Sequence, residues 1–433
     1  MDSRVMYYFY VALFYLLLPL LLVFRYFKGL KWQNFNARYN EALGFYKQKH
    51  AQQVIWLHAA SLGEVEAAHV LIEYLRKNYP YKVLVTTGTE PGYDRVRALQ
   101  GDQVEHVYLP YDMPRTVERF IKHFQPKIAI IMETEIWPVL FAKCKQHEVP
   151  LFIVNARLTE KSSKGYLKLK SFLAKIFAGI SGVAVQTEVD ARRYQEIGVL
   201  AEKITVSGNI KLDMPIAEAL RDNMAQVKQE LFPNRQVFVV GSTHAGEDEI
   251  FLQAYQRLKP KFTDLLLVLV PRQPKRTSEI KQLCAKNKLN VLARTEHKPC
   301  DSVTDVYLVD TLGELKLMYA LADFSFVAGS MVPVGGHNIF EPILLGVPVM
   351  FGPHMKNVEL LAKQLLDAQG AIQCITEADI VRAITLMIED PQEKCHLISN
   401  AQDFVAKNNG AVDRTIALID PFLRAHKATH LPD

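Results

Sequence analysis

Two doubly wound α/β domains are what this sequence predicts, and three observations predict them. Strand-length apolar runs alternate with helix-length amphipathic stretches through almost the whole chain. Several of those runs are apolar nearly throughout, as parallel strands covered on both faces are. The rhythm also occurs twice, in halves separated by a polar, helical stretch containing Pro215 and Pro233. At 433 residues the chain has the length for two such domains, each with its own core.

The first element is an uncharged run from Val5 to Phe24. As a helix it would measure ~30 Å, the thickness of a bilayer's hydrocarbon core. Pro19 is tolerable there, and aromatic residues crowd both ends (Tyr7, Tyr8, Tyr10; Tyr26, Phe27, Trp32) as at membrane interfaces. Arg25, Lys28, Lys31, Arg38, Lys47 and Lys49 follow, opposed by Glu41 alone, which places the bulk of the chain on the cytoplasmic side. No small-residue cleavage site ends the run. Residues 1–30 are therefore expected to be an uncleaved membrane anchor, spanning the bilayer or lying in its interface.

Strands are expected at Val54–His58, Lys82–Thr87, His106–Leu109, Ile128–Met132, Leu151–Asn155, Val183–Gln186 and Ile204–Gly208 in a first domain, residues 31–211. A linker over 212–235 leads to a second domain, 236–433, whose last helix is expected to pack back on the first. Its strands are Val237–Gly241, Leu265–Val270, Asn290–Ala293, Val306–Val309, Phe324–Ala328 and Val347–Phe351. In such domains ligands bind beyond the carboxyl ends of the strands, here in the expected cleft between the domains, so the loops after strands should carry the chemistry.

After the first strand comes His58-Ala-Ala-Ser61-Leu-Gly63-Glu64. Ser61 and Glu64 have the spacing of a capping box, and Glu64 is equally placed to be a desolvated carboxylate that takes a proton from a hydroxyl. Both readings stand. Glu133-Thr-Glu135-Ile-Trp137-Pro138 follows the fourth strand; its two carboxylates suit a polar loop edge or a site, and they imply no third metal ligand. Asn155-Ala-Arg157 comes next, and Gly208-Asn209-Ile210-Lys211 puts a cation at the domain junction.

In the second half, the small-residue turn Gly241-Ser242-Thr243-His244-Ala-Gly246-Glu247-Asp248 follows the first strand. Pro271-Arg272 ends the next, and Arg272 offers planar, multidentate donors. Thr311-Leu312-Gly313-Glu314 precedes a helix and could present backbone groups to a base. Gly335 and Gly336 lead into a helix start with Asn338, Ile339, Phe340 and Glu341. Flexible glycines before free helix N–H groups make an anion site, while Asn338 and Glu341 also fit a capping box. His58, His244 and His337 read as hydrogen-bonded loop residues, and no Ser–His–Asp order points to a hydrolase.

Composition excludes several classes. Cys144, Cys284, Cys300, Cys374 and Cys395 are scattered without a CxxC, against a disulfide framework or structural zinc and for a reducing compartment. A net charge of +5 without a basic-aromatic pattern gives no sign of nucleic-acid binding.

Taken in order behind the apolar run, HAASLGE, METEIWP, NARL, GNIKLD, GSTHAGEDE, VPRQPKR, DTLGEL and GGHNIFEP resemble the bacterial Kdo transferases of lipopolysaccharide synthesis. That family moves 3-deoxy-D-manno-octulosonic acid (Kdo) from CMP-Kdo to a lipid A precursor. The resemblance covers nearly the whole chain. It implies a GT-B glycosyltransferase, two Rossmann-like domains facing a cleft, held at the inner membrane by its N-terminal helix with the domains on the cytoplasmic face. It implies Glu64 as general base, with Glu133 and Lys211 assisting. CMP contacts map onto Pro271, Arg272, Leu312, Gly313, Glu314, Asn338, Ile339, Phe340 and Glu341. Partners are then CMP-Kdo, the lipid acceptor and membrane lipid, with no cofactor or metal. The basic stretch from Arg25 to Lys49 would attract the anionic lipid. The alternatives are a UDP-sugar transferase acting on a lipid, an anchored sugar-nucleotide binding protein, and a nucleotide-sugar epimerase on the same fold, which would not need a membrane anchor.

Overall fold

The structure, a computed structural model, describes residues 3–29, 38–46, 52–213, 224–356 and 358–424. The chain divides into two compact units, Met1–Met214 with Asn408–Asp433, and Pro215–Lys407.

The first unit is built on seven strands, β1 Val54–His58, β2 Lys82–Thr87, β3 Glu105–Tyr108, β4 Pro126–Met132, β5 Leu151–Ala156, β6 Gly182–Val185 and β7 Ile204–Val206. They form one sheet in the order β3-β2-β1-β4-β5-β6-β7, every pair parallel. Central β1 is buried along its whole length. One face packs Trp56 and Ile131 with Phe120 and Phe124, and the other packs Ile55 and Ile130 with Leu71 and Ile416. The Trp56 indole N–H donates to the Thr86 hydroxyl at 2.9 Å, so the largest core side chain carries no unpaired donor.

The second unit repeats the plan with β8 Gln236–Thr243, β9 Leu265–Pro271, β10 Val291–Ala293, β11 Val306–Leu308, β12 Phe324–Val327, β13 Val349–Phe351 and β14 Ile372–Gln373. Their order is β10-β11-β9-β8-β12-β13-β14, again all parallel. β14 was not expected: a two-residue edge strand is too short to show a pattern. Helix Met224–Leu231, from the expected linker, is part of this unit; Lys228 pairs with Asp323 at 2.6 Å and Phe232 packs on Tyr307. Residues 214–223 of that linker lie outside the described residues.

The helix Ala411–Arg424 belongs to the first unit, where Ile416, Ile419 and Leu423 enter the core. Asp213 fastens its start by accepting from the Gly410 N–H at 2.8 Å and the Val412 N–H at 2.5 Å.

The first helix runs from Ser3 to Gly29. Met6, Tyr7, Tyr10 and Val11 pack against the first unit's core, and the Tyr10 hydroxyl donates to Asp112 at 2.9 Å. Its other side presents Tyr8, Phe9, Leu16, Leu20 and Phe27 to solvent. Among the described residues no helix is long and apolar enough to cross a membrane. The spanning form of the expected anchor is thus unsupported, because one face of this helix is committed to the protein. Of the basic run, Lys31, Lys47, Lys49 and the side chains of Arg25 and Lys28 lie outside the described residues. Arg38 does not face outward as expected; it pairs with Glu41 at 2.7 Å and reaches the His106 ring at 3.0 Å.

Replacing Asp213 with Ala should strip the acceptor from the Val412 N–H and leave the Gly410 N–H to Asn409 alone, costing about 1–3 kcal/mol. Amide exchange over residues 411–424 would rise by the matching factor; unchanged protection would show that the helix is held by its apolar face alone.

Candidate active site

Because every strand of a parallel sheet points the same way, the loops after β1, β4, β5 and β7 leave the first unit on one side. Ser61 N-caps helix Leu62–Asn78, its hydroxyl oxygen accepting from the Glu64 N–H at 3.4 Å. Glu64 folds its carboxylate back over the cap: Oε1 accepts from the Ser61 hydroxyl at 2.9 Å and Oε2 from the Ala60 N–H at 2.8 Å. The capping reading is therefore realised. It does not exhaust the group, because a carboxylate has about four acceptor positions and two are taken.

Glu64 is only 9% exposed. Burial pushes its pKa up to about 7, the charges of Glu133 and Glu135 add to the rise, and the Ala60 and Ser61 hydrogen bonds oppose it. Glu135 is raised as well, by burial first and also by the charge of Glu133. Three carboxylates thus sense one another at the ends of β1 and β4. Glu135 belongs to this cluster by position, and its spacing in METEIWP was the signal for it. Among the described residues no group of three or more His, Cys, Asp or Glu converges as metal ligands.

The neighbouring loops hold this cluster in shape. Glu133 sits in the left-handed region at φ 55°, its N–H donating to Val154 O at 2.9 Å, and the Thr134 hydroxyl donates to the Arg157 carbonyl. Asn155, also left-handed at φ 52°, accepts from the Ile210 N–H at 3.1 Å, and Asn209 accepts from the Lys211 N–H at 3.0 Å. These side chains stiffen the turn that carries Lys211, whose ammonium lies 3.8 Å from the Glu133 carboxylate. Left-handed backbone at non-glycine residues costs of order 1–3 kcal/mol and collects at functional sites. The structure brings Glu64, Glu133 and Lys211 into one neighbourhood.

In the second unit Glu247 organises the loops. Fully buried, it accepts from the N–H groups of His244 at 3.0 Å, Gly329 at 2.8 Å, Ser330 at 3.1 Å and Met331 at 2.9 Å. Three of these partners, Gly329, Ser330 and Met331, lie more than eighty residues further along the chain, which is why sequence reasoning missed it. The His244 and His337 rings stack, their Nε2 atoms 2.9 Å apart. Burial, Arg272 and His244 lower the His337 pKa to about 4. Arg272 is exposed, with its N–H donating to Thr243 O at 3.0 Å, and Pro271 is the buried end of β9.

The other residues expected to contact the donor lie on the loops after β11 and β12. The N–H groups of Gly335 and Gly336 both donate to the Gly329 carbonyl, at 3.1 and 2.7 Å. Gly336 stands in the left-handed region at φ 74°, which favours glycine, and a Cβ there would lie 2.6 Å from the Met355 sulfur, the movable end of that side chain. The helix that follows is only Phe340–Leu344, too short for a strong dipole. Ile339 and Phe340 are core residues and leave only backbone for a ligand. Asn338 accepts from the Phe340 N–H at 3.1 Å and donates to Glu341 at 3.3 Å, a local turn in place of the expected capping box, since the residue at the cap is Ile339 and no side chain caps the helix. Glu314 is engaged by Arg294 at 3.0 Å and by the Thr311 hydroxyl. Gly313 at φ 86° and Leu312, 80% exposed, form an open turn.

If the carboxylates are coupled, Glu133→Gln should move the Glu64 pKa below 7, since it removes a neighbouring negative charge. Carbon-13 NMR of labelled glutamate carboxylates would follow it; an unmoved Glu64 titration would place Glu133 too far away to matter.

Residues 37–214 match the family model described as 3-Deoxy-D-manno-octulosonic-acid transferase (kdotransferase). The chain is 36% identical over 420 residues to the 3-deoxy-D-manno-octulosonic acid transferase of Haemophilus influenzae, covering 96% of this chain and 98% of that one. It is 33% identical over 378 residues to the enzyme of the same name from Rickettsia felis, covering 86% and 80%. Among solved structures, UDP-GlcNAc 2-epimerase from Neisseria meningitidis bound to UDP-GlcNAc aligns with a TM-score of 0.56 over 82% of this chain and 99% of that one. At 15% identity that likeness shows the fold alone.

Proposed function

The chain belongs to the 3-deoxy-D-manno-octulosonic acid transferase family, and from that premise we propose that it transfers Kdo from CMP-Kdo to the primary hydroxyl of a tetraacyl lipid A precursor, with Glu64 as general base. The observation that carries this reading is the Glu64 carboxylate, buried at the end of β1 and held by Ser61 and Ala60, with its pKa pushed by burial up to about 7, the range suited to proton abstraction from a hydroxyl. Its two free acceptor positions serve the incoming hydroxyl while Ser61 and Ala60 hold it in place.

Transfer at an anomeric carbon passes through an oxocarbenium-like state. Glu133, beside the Lys211 ammonium, supplies negative charge near the acceptor, and Lys211 answers the carboxylate and phosphate charges of the donor. A base on one face of the sugar and CMP leaving from the other make this a single, inverting displacement. For the donor, Arg272 offers a solvent-facing guanidinium, the Leu312–Gly313 turn offers open backbone, and Asn338 to Glu341 offer polar atoms beside the buried Ile339 and Phe340. Glu314 contributes through its backbone, its carboxylate being held by Arg294.

The acceptor is a membrane lipid, and the first helix offers the means of reaching it. With one face on the first unit and a row of exposed apolar residues on the other, it suits a helix lying in the bilayer interface. Helix Lys170–Phe177 packs against it, and around that helix Lys161, Lys164, Lys168, Lys170 and Lys175 are exposed with Leu167 and Leu169. Lysines mixed with apolar residues favour an anionic lipid surface. On this reading the chain sits on the cytoplasmic face of the inner membrane.

The test is transfer by the purified full chain from CMP-Kdo, generated in situ, to the tetraacyl precursor in EDTA, with products resolved by mass. Added Kdo is expected, and Glu64→Gln should lower the rate at least ~10²-fold. Transfer by Glu64→Gln at the wild-type rate would reduce Glu64 to a helix cap, and transfer from a UDP-sugar alone would replace the donor.

A further inference from the structure

The Glu133–Trp137 loop leaves β4 and ends where helix Pro138–Gln146 begins. That helix has no side-chain cap of its own, since the residue before it is Trp137. Asp112, twenty-odd positions earlier, supplies the cap. Its Oδ1 accepts from the Leu140 N–H at 2.8 Å and its Oδ2 from the Val139 N–H at 3.0 Å. The same Oδ2 accepts from the Tyr10 hydroxyl of the first helix at 2.9 Å. Asp112 is 2% exposed, so water does not replace a lost donor. Met6, Tyr7, Tyr10 and Val11 also pack on the same core as Ile136 and Trp137 of the loop.

From this geometry we propose that Tyr10 and Asp112 are positioning residues for transfer: the first helix, through its hydrogen bond to Asp112, fixes the start of helix Pro138–Gln146 and so the Glu133–Trp137 loop. The first helix is then a working part of the catalytic unit and more than its attachment to a bilayer. The inference rests on the reading of Glu133 given above.

The loop is held at two ends. At one, the Glu133 N–H is tied to Val154 O at 2.9 Å; at the other, Asp112 gathers the first N–H groups of the helix. Between them Glu133 keeps a left-handed backbone, φ 55°, which persists only while its surroundings enforce it. A buried aspartate with three donors loses one when Tyr10 loses its hydroxyl. Its remaining charge is then under-compensated and its grip on the helix start weakens.

The experiment uses the full chain as wild type, Tyr10→Phe, Asp112→Asn, the double variant and Glu133→Gln. The acceptor is dispersed in detergent, where attachment to a bilayer has no bearing, and rates are taken well below each variant's melting temperature. Tyr10→Phe is expected to lower kcat by about tenfold, the effect of one hydrogen bond to a buried charge. The KM for CMP-Kdo and co-sedimentation with phosphatidylglycerol vesicles should be unchanged. The double variant should be no slower than Asp112→Asn alone, since Tyr10 acts through Asp112. Wild-type kcat in Tyr10→Phe, or a loss confined to vesicle-embedded acceptor, would overturn the proposal. Full activity in Glu133→Gln would overturn the role of Glu133 itself, and this inference with it.

Discussion

In an all-parallel sheet each strand delivers its carboxyl end to the same edge, and the rest of this molecule follows from that constraint. Within the first unit it gathers the loops after β1, β4, β5 and β7, and with them Glu64, Glu133 and Lys211. A carboxylate buried beside other carboxylates is costly to ionise, and Glu64 answers by holding its proton to about pH 7. Since the folded chain keeps that proton above the ordinary carboxyl value of 4.5, the stability tied to it is present below 4.5 and is lost as pH rises from 4.5 through about 7, levelling off above. A side chain kept only for capping would gain nothing from such burial. On the proposed reading, that conflict between stability and ionisation is what a general base at this position requires.

The second unit meets the same constraint with backbone. Its loops after β8 and β12 converge on one buried carboxylate, Glu247, which satisfies four N–H groups at once. Such a joint lets two loops remote in sequence move as one piece, and the stacked His244 and His337 lie within it. Arg272 and the open turn at Gly313 remain accessible around this rigid frame.

Much of this was legible in the sequence, for physical reasons. β1, β5 and β9 are buried end to end, β4 is buried from Ile128 onward, and all four read as largely apolar runs, so their positions and the loops after them could be named. What stayed hidden was direction and partnership. Ile339 and Phe340 lie in a polar-looking motif, and only packing reveals that they face the core. Gly335 and Gly336 have the look of a ligand cradle, yet their N–H groups close on Gly329. Glu314, Glu247 and Asp112 find their partners far along the chain, at Arg294, at Gly329–Met331 and at Tyr10, where no local pattern reaches. The first helix was visible as an apolar run; that one of its faces belongs to the protein was not.

The account stands on the ionisation of Glu64, and the pH dependence of kcat/KM for the lipid acceptor in the wild-type protein probes it most directly. A base that must be ionised predicts a rate that rises with pH and reaches half its plateau near 7. A rate already level from about pH 5 upward would mark an ordinary carboxylate and contradict the assignment of Glu64 as the desolvated base.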